Sequence, residues 1–207
     1  MVDRGGDEEQ VRAFIAIELP SQIQELLGRH IQRLRAALSG PVRWVDPHSV
    51  HLTLKFLGNV PEALAPAIGD ALGRACGGTG TLELRIGALG CFPNPRRARV
   101  LWLEVEGDRE MLVPLQARID KEMEALGFAR EVRTFVPHLT LARVRGGDGR
   151  GRGGGIEART LEELIAQWPS ERHGFTARGV SLMRSILRPE GAVYQRLAFA
   201  GLKSRER

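Results

Sequence analysis

The sequence predicts an α+β fold with a mainly antiparallel sheet, built from two pseudo-symmetric halves that share one cleft. Three observations support this prediction. About eight segments have the apolar pattern of strands and about four have that of helices, without strict alternation between the two types. The order of these segments repeats once along the chain. Each repeat also contains the tetrapeptide His-x-Thr-Leu, at residues 51–54 and again at residues 138–141.

The first half begins with a β-rich segment and ends with an alternating one. A helix follows the first strand and is stopped by Ser39-Gly40-Pro41, since glycine and proline end helices. The predicted strands of this half are residues 11–19, 42–45, 50–57 and 81–89, and its predicted helices are residues 20–38 and 61–74.

The second half repeats that order. Its predicted strands are residues 100–106, 138–144, 175–187 and 193–199, and its predicted helices are residues 108–126 and 160–167. Two segments stand outside the pattern. Residues 1–10 are charged and are predicted to form a flexible tail, and the run GGDGRGRGGG at residues 146–155 is predicted to be a flexible loop. We therefore expect residues 1–207 to form one bilobal domain.

Composition restricts the function. A net charge of +5 and a pI near 10 favour polyanionic partners. Cys76 and Cys91 have no zinc-like spacing and predict two reduced thiols. The charged N-terminal segment does not resemble a signal peptide, and no apolar run approaches membrane-spanning length. We therefore expect a cytoplasmic protein without a membrane partner.

The two motifs carry the candidate chemistry. On a strand, residues i and i+2 point to one face, so His51 and Thr53 should project together, as should His138 and Thr140. Two imidazoles can act as an acid and base pair across an in-line displacement at a phosphodiester, while hydroxyl groups hold the non-bridging oxygens. Arg143 ends the second motif strand, where it is equally consistent with a phosphate ligand and with a surface residue.

The stretches HLTLKFLG and PHLTLAR resemble the paired HxTx motifs of the 2H phosphoesterase superfamily. The segments FIAIELP and VRWV, with residues 185–187 and 191–194, resemble its RNA 2′,3′-cyclic phosphodiesterase branch, once called 2′-5′ RNA ligases. The resemblance covers about residues 11–202. It implies two lobes, each a mainly antiparallel sheet with helices outside, around a central cleft that carries one motif from each lobe.

The resemblance also implies an activity. RNA ends with a 2′,3′-cyclic phosphate, or small cyclic nucleotides, would be hydrolysed to 2′-phosphates without metal or other cofactor. The resemblance also suggests reversible 2′-5′ RNA ligation as a second activity. His51 would be the proton donor and His138 the proton acceptor, while Thr53, Thr140 and Arg143 would bind the phosphate. We expect a monomer.

Two other hypotheses remain open from the residues alone. The cleft would bind nucleotides or RNA without turnover, or the two histidines would be metal ligands. The second is disfavoured because no Asp, Glu or Cys accompanies the motifs at ligand spacing. The residues themselves do not determine which histidine is the acid and which the base.

Overall fold

The computed structural model describes residues 9–145, 156–169, 173–188 and 191–204. These residues form nine strands and four α-helices, joined by short turns and 3₁₀ helices. The strands are β1 Gln10–Glu18, β2 Val42–Trp44, β3 His51–Pro61, β4 Leu82–Phe92, β5 Val100–Gly107, β6 His138–Val144, β7 Gly174–Ala177, β8 Gly179–Arg188 and β9 Gly191–Gly201. The helices are α1 Ser21–Ala37, α2 Ala65–Cys76, α3 Arg109–Ala125 and α4 Ala158–Ala166.

The strands form one curled antiparallel sheet in the order β7-β4-β5-β6-β3-β1-β8-β9, with β2 paired to β6. The two motif strands, β3 and β6, are neighbours at the centre and share a single registered pair, Leu52 with Leu139. We call β3, β1, β8 and β9 lobe 1, and β6, β5, β4, β7 and β2 lobe 2. The predicted α+β class with two related lobes is confirmed, and the sheets of the two lobes are continuous through this central contact.

The two lobes are not the two halves of the chain. Strand β4, from the first half, pairs with β5 and β7 in lobe 2, while β8, from the second half, pairs with β1 in lobe 1. Each lobe therefore needs strands from both halves. The halves are interleaved, because β2 and β4 of the first half lie in lobe 2, while β8 and β9 of the second half lie in lobe 1.

The predicted strand at residues 175–187 is two strands. Strand β7 pairs with β4 in lobe 2, and β8 pairs with β1 and β9 in lobe 1, with the chain crossing between them at Arg178. Gly179 opens β8 where β9 is close, since a Cβ there would lie 2.2 Å from Cζ of Phe199. The prediction of one strand was wrong because both pieces alternate in the same way and differ only in their partners.

The helices cover the core face of the sheet. Helix α2 packs against β8, β9 and α3, and α4 packs against β4. The motif leucines Leu52 and Leu139 are fully buried on this face, as the alternating pattern predicts. Cys76 and Cys91 are both free. Within the residues that the structure describes, no helix is long and apolar enough to cross a membrane.

The two segments predicted to be flexible lie mostly outside the described residues. Residues 1–8 and the glycine-rich run at residues 146–155 are not described. Of the predicted tail, Gln10 begins β1, and the carbonyl oxygen of Glu9 accepts a hydrogen bond from the Glu62 N–H at 2.8 Å.

Candidate active site

The central register turns both motifs to the same face. Because Leu52 is registered with Leu139 and both are buried, their sequence neighbours point to the opposite face of the sheet. That face carries His51 and Thr53 from β3, and the corresponding His138 and Thr140 from β6. All four side chains are half-buried. The structure therefore brings the two motifs together on one surface, which we call the cleft.

Each motif strand contains a β-bulge at the same position. The register of β3 against β1 shifts at Leu54, and that of β6 against β5 shifts at Leu141. Both bulges bury two consecutive residues, which are Leu54 with Lys55 in β3 and Leu141 with Ala142 in β6.

The bulges determine which later residue of each strand lies on the same face as the histidine. After them, the fifth residue beyond each histidine returns to the cleft face, and this residue is Phe56 in β3 and Arg143 in β6. Phe56 lies across from Phe14 and is 65% exposed. The structure therefore places Arg143 on the face of His138 and Thr140, where the sequence left its direction open.

The two imidazoles are held in the same way. Nδ1 of His51 lies 2.8 Å from the carbonyl oxygen of Ser49, and Nδ1 of His138 lies 2.7 Å from that of Val136. A carbonyl oxygen only accepts, so Nδ1–H donates in both cases and each neutral ring has its lone pair on Nε2. Nε2 is therefore the nitrogen of each ring that can exchange a proton with a substrate.

Aromatic rings surround both histidines. Phe14 stacks on His51 with ring centroids 4.5 Å apart, and Tyr194 meets the same imidazole edge-on at 5.1 Å. Around His138, Phe92 lies edge-on at 5.2 Å and Trp102 at 6.0 Å. These rings pack against the imidazoles and restrict their rotation.

Glu18 is the acidic neighbour of His51 across the β1–β3 ladder. Its carboxylate accepts two hydrogen bonds from Arg196, at 2.8 and 3.0 Å, and one from the Ser181 hydroxyl. Burial alone would raise the pKa of Glu18, but the hydrogen bonds from Arg196 and Ser181 lower it below its ordinary value. Glu18 is therefore ionised at neutral pH, with its charge beside an imidazole of the motif pair.

The pKa of His51 is lowered in the ligand-free protein. Burial is the main cause, because it disfavours the charged imidazolium, and the positive charge of Arg143 acts in the same direction. The hydrogen bond to Ser49 and the charge of Glu18 act in the opposite direction without cancelling the effect. Arg143 of lobe 2 is thus within electrostatic reach of His51 of lobe 1.

Sequence reasoning missed several residues of this surface. Phe14, Glu18 and Tyr194 lie on strands that were predicted correctly, and their phase along the strand was the available signal. Phe14 and Glu18 are both in the phase of β1 opposite to the buried residues Ile15 and Ile17. A strand predicted to be buried on both faces hides that signal, because both phases are apolar.

No metal site accompanies the motifs in the described ranges. Among these residues, no group of three or more His, Cys, Asp or Glu side chains is arranged to hold a metal ion. What the cleft offers instead is two imidazoles with free Nε2 atoms, two hydroxyls and one guanidinium. This set can donate and accept protons around an anion.

Comparison with known proteins agrees with this geometry. A family profile described as the 2′-5′ RNA ligase superfamily matches residues 20–186. A protein of Methanothermobacter thermautotrophicus named RNA 2′,3′-cyclic phosphodiesterase is 37% identical over 89% of this chain and 95% of its own length. A protein of the same name from Aeropyrum pernix is 31% identical over 83% of this chain and 94% of its own.

Solved structures share the fold. The crystal structure of TT0787 of Thermus thermophilus aligns with a TM-score of 0.71 at 26% identity, covering 94% of this chain and all of that one. Escherichia coli LigT complexed with 3′-AMP aligns with a TM-score of 0.71 at 24% identity, over 94% of this chain and 99% of that one. The chain belongs to the 2′-5′ RNA ligase superfamily, a branch of the 2H phosphoesterases, and the resemblance seen in the sequence is confirmed.

Proposed function

We propose that this protein is an RNA 2′,3′-cyclic phosphodiesterase that converts a 2′,3′-cyclic phosphate end to a 2′-phosphate. The observation that carries the proposal is the matched pair of imidazoles on neighbouring central strands. Each donates from Nδ1 to the carbonyl two residues before it and keeps Nε2 for the cleft. The relatives at 37% and 31% identity carry the name of this activity.

The reaction uses one histidine as base and the other as acid. Nε2 of His138 takes a proton from water, whose oxygen attacks phosphorus. The bond from phosphorus to the 3′ oxygen breaks, and Nε2–H of His51 gives its proton to that oxygen. The product has a 3′-hydroxyl and a 2′-phosphate, and the pair ends with its proton transferred from one imidazole to the other.

Three side chains bind the phosphate in this proposal. The hydroxyls of Thr53 and Thr140 lie on the same face as the imidazoles and donate to non-bridging oxygens. The Arg143 guanidinium supplies the positive charge that a pentacoordinate phosphorus requires as negative charge builds on those oxygens. No step requires a metal ion, because protein groups fill both the proton-transfer and charge-stabilising roles.

The lowered pKa of His51 has a consequence for its role as the acid. In the free protein, burial and Arg143 both favour the neutral imidazole. A bound phosphate anion places negative charge next to His51 and offsets the charge of Arg143. Both changes raise the pKa of His51, so the acid acquires its proton as the substrate binds.

The same arrangement accommodates ligation. If the 5′-hydroxyl of a second RNA replaces water, attack on the cyclic phosphate gives a 2′-5′ linkage with the same two proton transfers. Hydrolysis and ligation then differ only in the nucleophile beside His138, which is water in hydrolysis and the 5′-hydroxyl of a second RNA in ligation. We propose that the protein acts as a monomer, since one chain supplies both motifs and both lobes of the cleft.

The test is hydrolysis of an oligonucleotide with a 2′,3′-cyclic phosphate end, in buffer containing EDTA. We expect 2′-phosphate as the product and loss of turnover in His51→Ala and His138→Ala. His48→Ala is the matched control, because His48 lies in the turn before β3 and its ring contacts Gln24. Binding without turnover in the unaltered protein would indicate a binding module, and activity that EDTA removes would overturn the metal-free mechanism.

A further inference from the structure

Two arginines face each other across the ladder between β2 and β6. Arg43 is registered directly opposite Arg143, and both side chains are exposed. The neighbours of Arg143, which are Ala142 and Val144, are buried, and those of Arg43, which are Val42 and Trp44, pack against the core. Both arginine side chains therefore project from the cleft face. Like charges in directly opposed positions destabilise an antiparallel pair. Such a pair is expected where an anion binds between or beside the charges.

Arg12, Arg43 and Arg143 differ in their partners from four other arginines of the chain. In the part of the chain that the structure describes, Arg74, Arg85, Arg109 and Arg196 each form an ion pair with a glutamate. No described carboxylate is within ion-pair distance of Arg43, Arg143 or Arg12. Arg12 is exposed in the same phase of β1 as Phe14 and Glu18, and therefore also faces the cleft.

Tyr194 lies on the same face and is influenced electrostatically by all three arginines. It lies edge-on to both Phe14 and His51, which places it in the cleft of lobe 1. Burial raises the pKa of its phenol, while the charges of Arg143, Arg12 and Arg43 act against that rise, so all three are within electrostatic range. Its hydroxyl keeps its proton at neutral pH and has no hydrogen-bond partner among the described residues. It is an available donor.

We propose that Arg12, Arg43 and the Tyr194 hydroxyl form a second phosphate site, next to the site that Arg143 provides for the cyclic phosphate. The proposal rests on the proposed function and extends it to the substrate class. In an RNA that ends in a 2′,3′-cyclic phosphate, the next anionic group is the phosphodiester on the 5′ side of the terminal nucleotide. The second site binds this group, and the preferred substrate is an oligonucleotide, not a mononucleotide.

The charge that the proposal invokes can be removed from the substrate. The probes are the dinucleotide ApA with a 2′,3′-cyclic phosphate end and the same dinucleotide with a neutral methylphosphonate linkage. Both have the same bases and the same reacting group. We expect kcat/KM to be about tenfold or more higher for the natural linkage, the scale of a charge-assisted hydrogen bond. Equal values for the two linkages in the unaltered protein would overturn the second site.

Variants assign the preference to residues. In Arg43→Gln and in Arg12→Gln, the ratio of the two kcat/KM values should fall toward one, and in Tyr194→Phe it should fall by less. Arg29→Gln, which removes an exposed arginine from helix α1, is the matched control and should keep the full ratio. A full ratio in Arg43→Gln and Arg12→Gln would overturn the assignment.

The experiment separates this proposal from the one on which it rests. If the unaltered protein hydrolyses 2′,3′-cyclic AMP and both dinucleotides, with equal kcat/KM for the two linkages, the proposed function stands and the second site is wrong. If it hydrolyses none of the three, the proposed function itself is wrong.

Discussion

The two motif strands, β3 and β6, share the residues that acid–base chemistry requires, and they differ at the fourth and fifth residues after each histidine. In β3 and β6 the histidine, the threonine, the bulge and the imidazole-to-carbonyl hydrogen bond are the same. At the next two positions β3 has Lys55 and Phe56, while β6 has Ala142 and Arg143. The bulge buries the first of each pair and exposes the second to the cleft.

Because of this difference, two similar motif strands form an asymmetric site. In the proposed hydrolysis, water attacks phosphorus and the 3′ oxygen leaves. One histidine must therefore be neutral, to accept a proton from water, while the other is protonated, to donate one to the leaving oxygen. Arg143 has no charged counterpart at the matching position of β3, which is Phe56, so the surroundings of the two imidazoles differ in charge. In the proposed mechanism, the duplicated part of the fold therefore supplies the reacting groups, and the unmatched fourth and fifth residues after each histidine distinguish the roles of the two histidines.

The largest expected effect comes from the part that the strands share. His51→Ala and His138→Ala should each lower kcat by ~10²–10⁴-fold, since each removes one partner of a coupled proton transfer. The double variant should be little worse than either single one, because the two residues act as a unit. Additive losses in the double variant would show that the histidines work independently and would contradict the coupled proton transfer.

The next effect concerns Lys55, the fourth residue after His51. Lys55 is buried and donates to the Asp120 carboxylate and, at 2.8 Å, to the carbonyl oxygen of Ala129. Lys55→Met removes the buried cation that is paired with the buried Asp120 carboxylate and should lower the free energy of unfolding by about 3–5 kcal/mol. Denaturant unfolding measures this. The double variant Lys55→Met/Asp120→Leu should recover most of the loss, and a double variant as unstable as Lys55→Met would contradict this explanation.

The same ion pair gives a pH dependence of stability. Burial alone would raise the pKa of Asp120, but the hydrogen bonds from Lys55 and the Glu131 N–H, with the charges of Lys55 and Arg130, lower it below its ordinary value. A lowered pKa in the folded state contributes stability above the unfolded-state pKa, and this contribution is lost as pH falls through the lowered value. Asp120→Asn should therefore flatten the acid side of a plot of unfolding free energy against pH, and an unchanged acid side would contradict this origin.

Substitution of Arg143, the fifth residue after His138, should affect activity more than stability. Arg143→Gln removes the charge that we assign to the phosphate and should lower kcat/KM by roughly 10–100-fold, the range for hydrogen bonds to charged groups. It should also raise the pKa of His51, because one of the contributions that lower it is lost. Unchanged kcat/KM would move Arg143 out of the phosphate site.

The smallest effect is expected at the exposed phenylalanine of β3. Phe56→Ala should change the free energy of unfolding by no more than about 0.5 kcal/mol, since its ring is 65% exposed. Phe14→Ala, across the ladder, should cost about 3–5 kcal/mol because that ring is 3% exposed and packs on His51. Similar losses at both positions would mean that Phe56 is a packing residue and not part of an open cleft.

Local pattern was enough to predict the motif strands and the direction of their side chains. Alternation placed Leu52 and Leu139 in the core and their polar neighbours on the other face. Alternation does not report a bulge, so the faces of Phe56 and Arg143 followed only from the pairing. The exchange of β2, β4, β8 and β9 between lobes and the separation of β7 from β8 depend on long-range pairing, which has no local signal. The phase of Glu18 and Tyr194 along their strands gives at most the face on which they lie, and their nearness to His51 depends on long-range strand pairing.

The most direct test of the two-histidine mechanism is the pH dependence of kcat/KM and of kcat on a cyclic-phosphate substrate. Both profiles should be bell-shaped, with the alkaline limb set by loss of the His51 proton. The kcat/KM profile reports the free protein, where the pKa of His51 is lowered, whereas kcat reports the complex, where the phosphate raises it. The alkaline limb should therefore lie at higher pH for kcat than for kcat/KM. A rate that rises steadily with pH and has no alkaline limb would contradict the mechanism, because hydroxide would then be the attacking group.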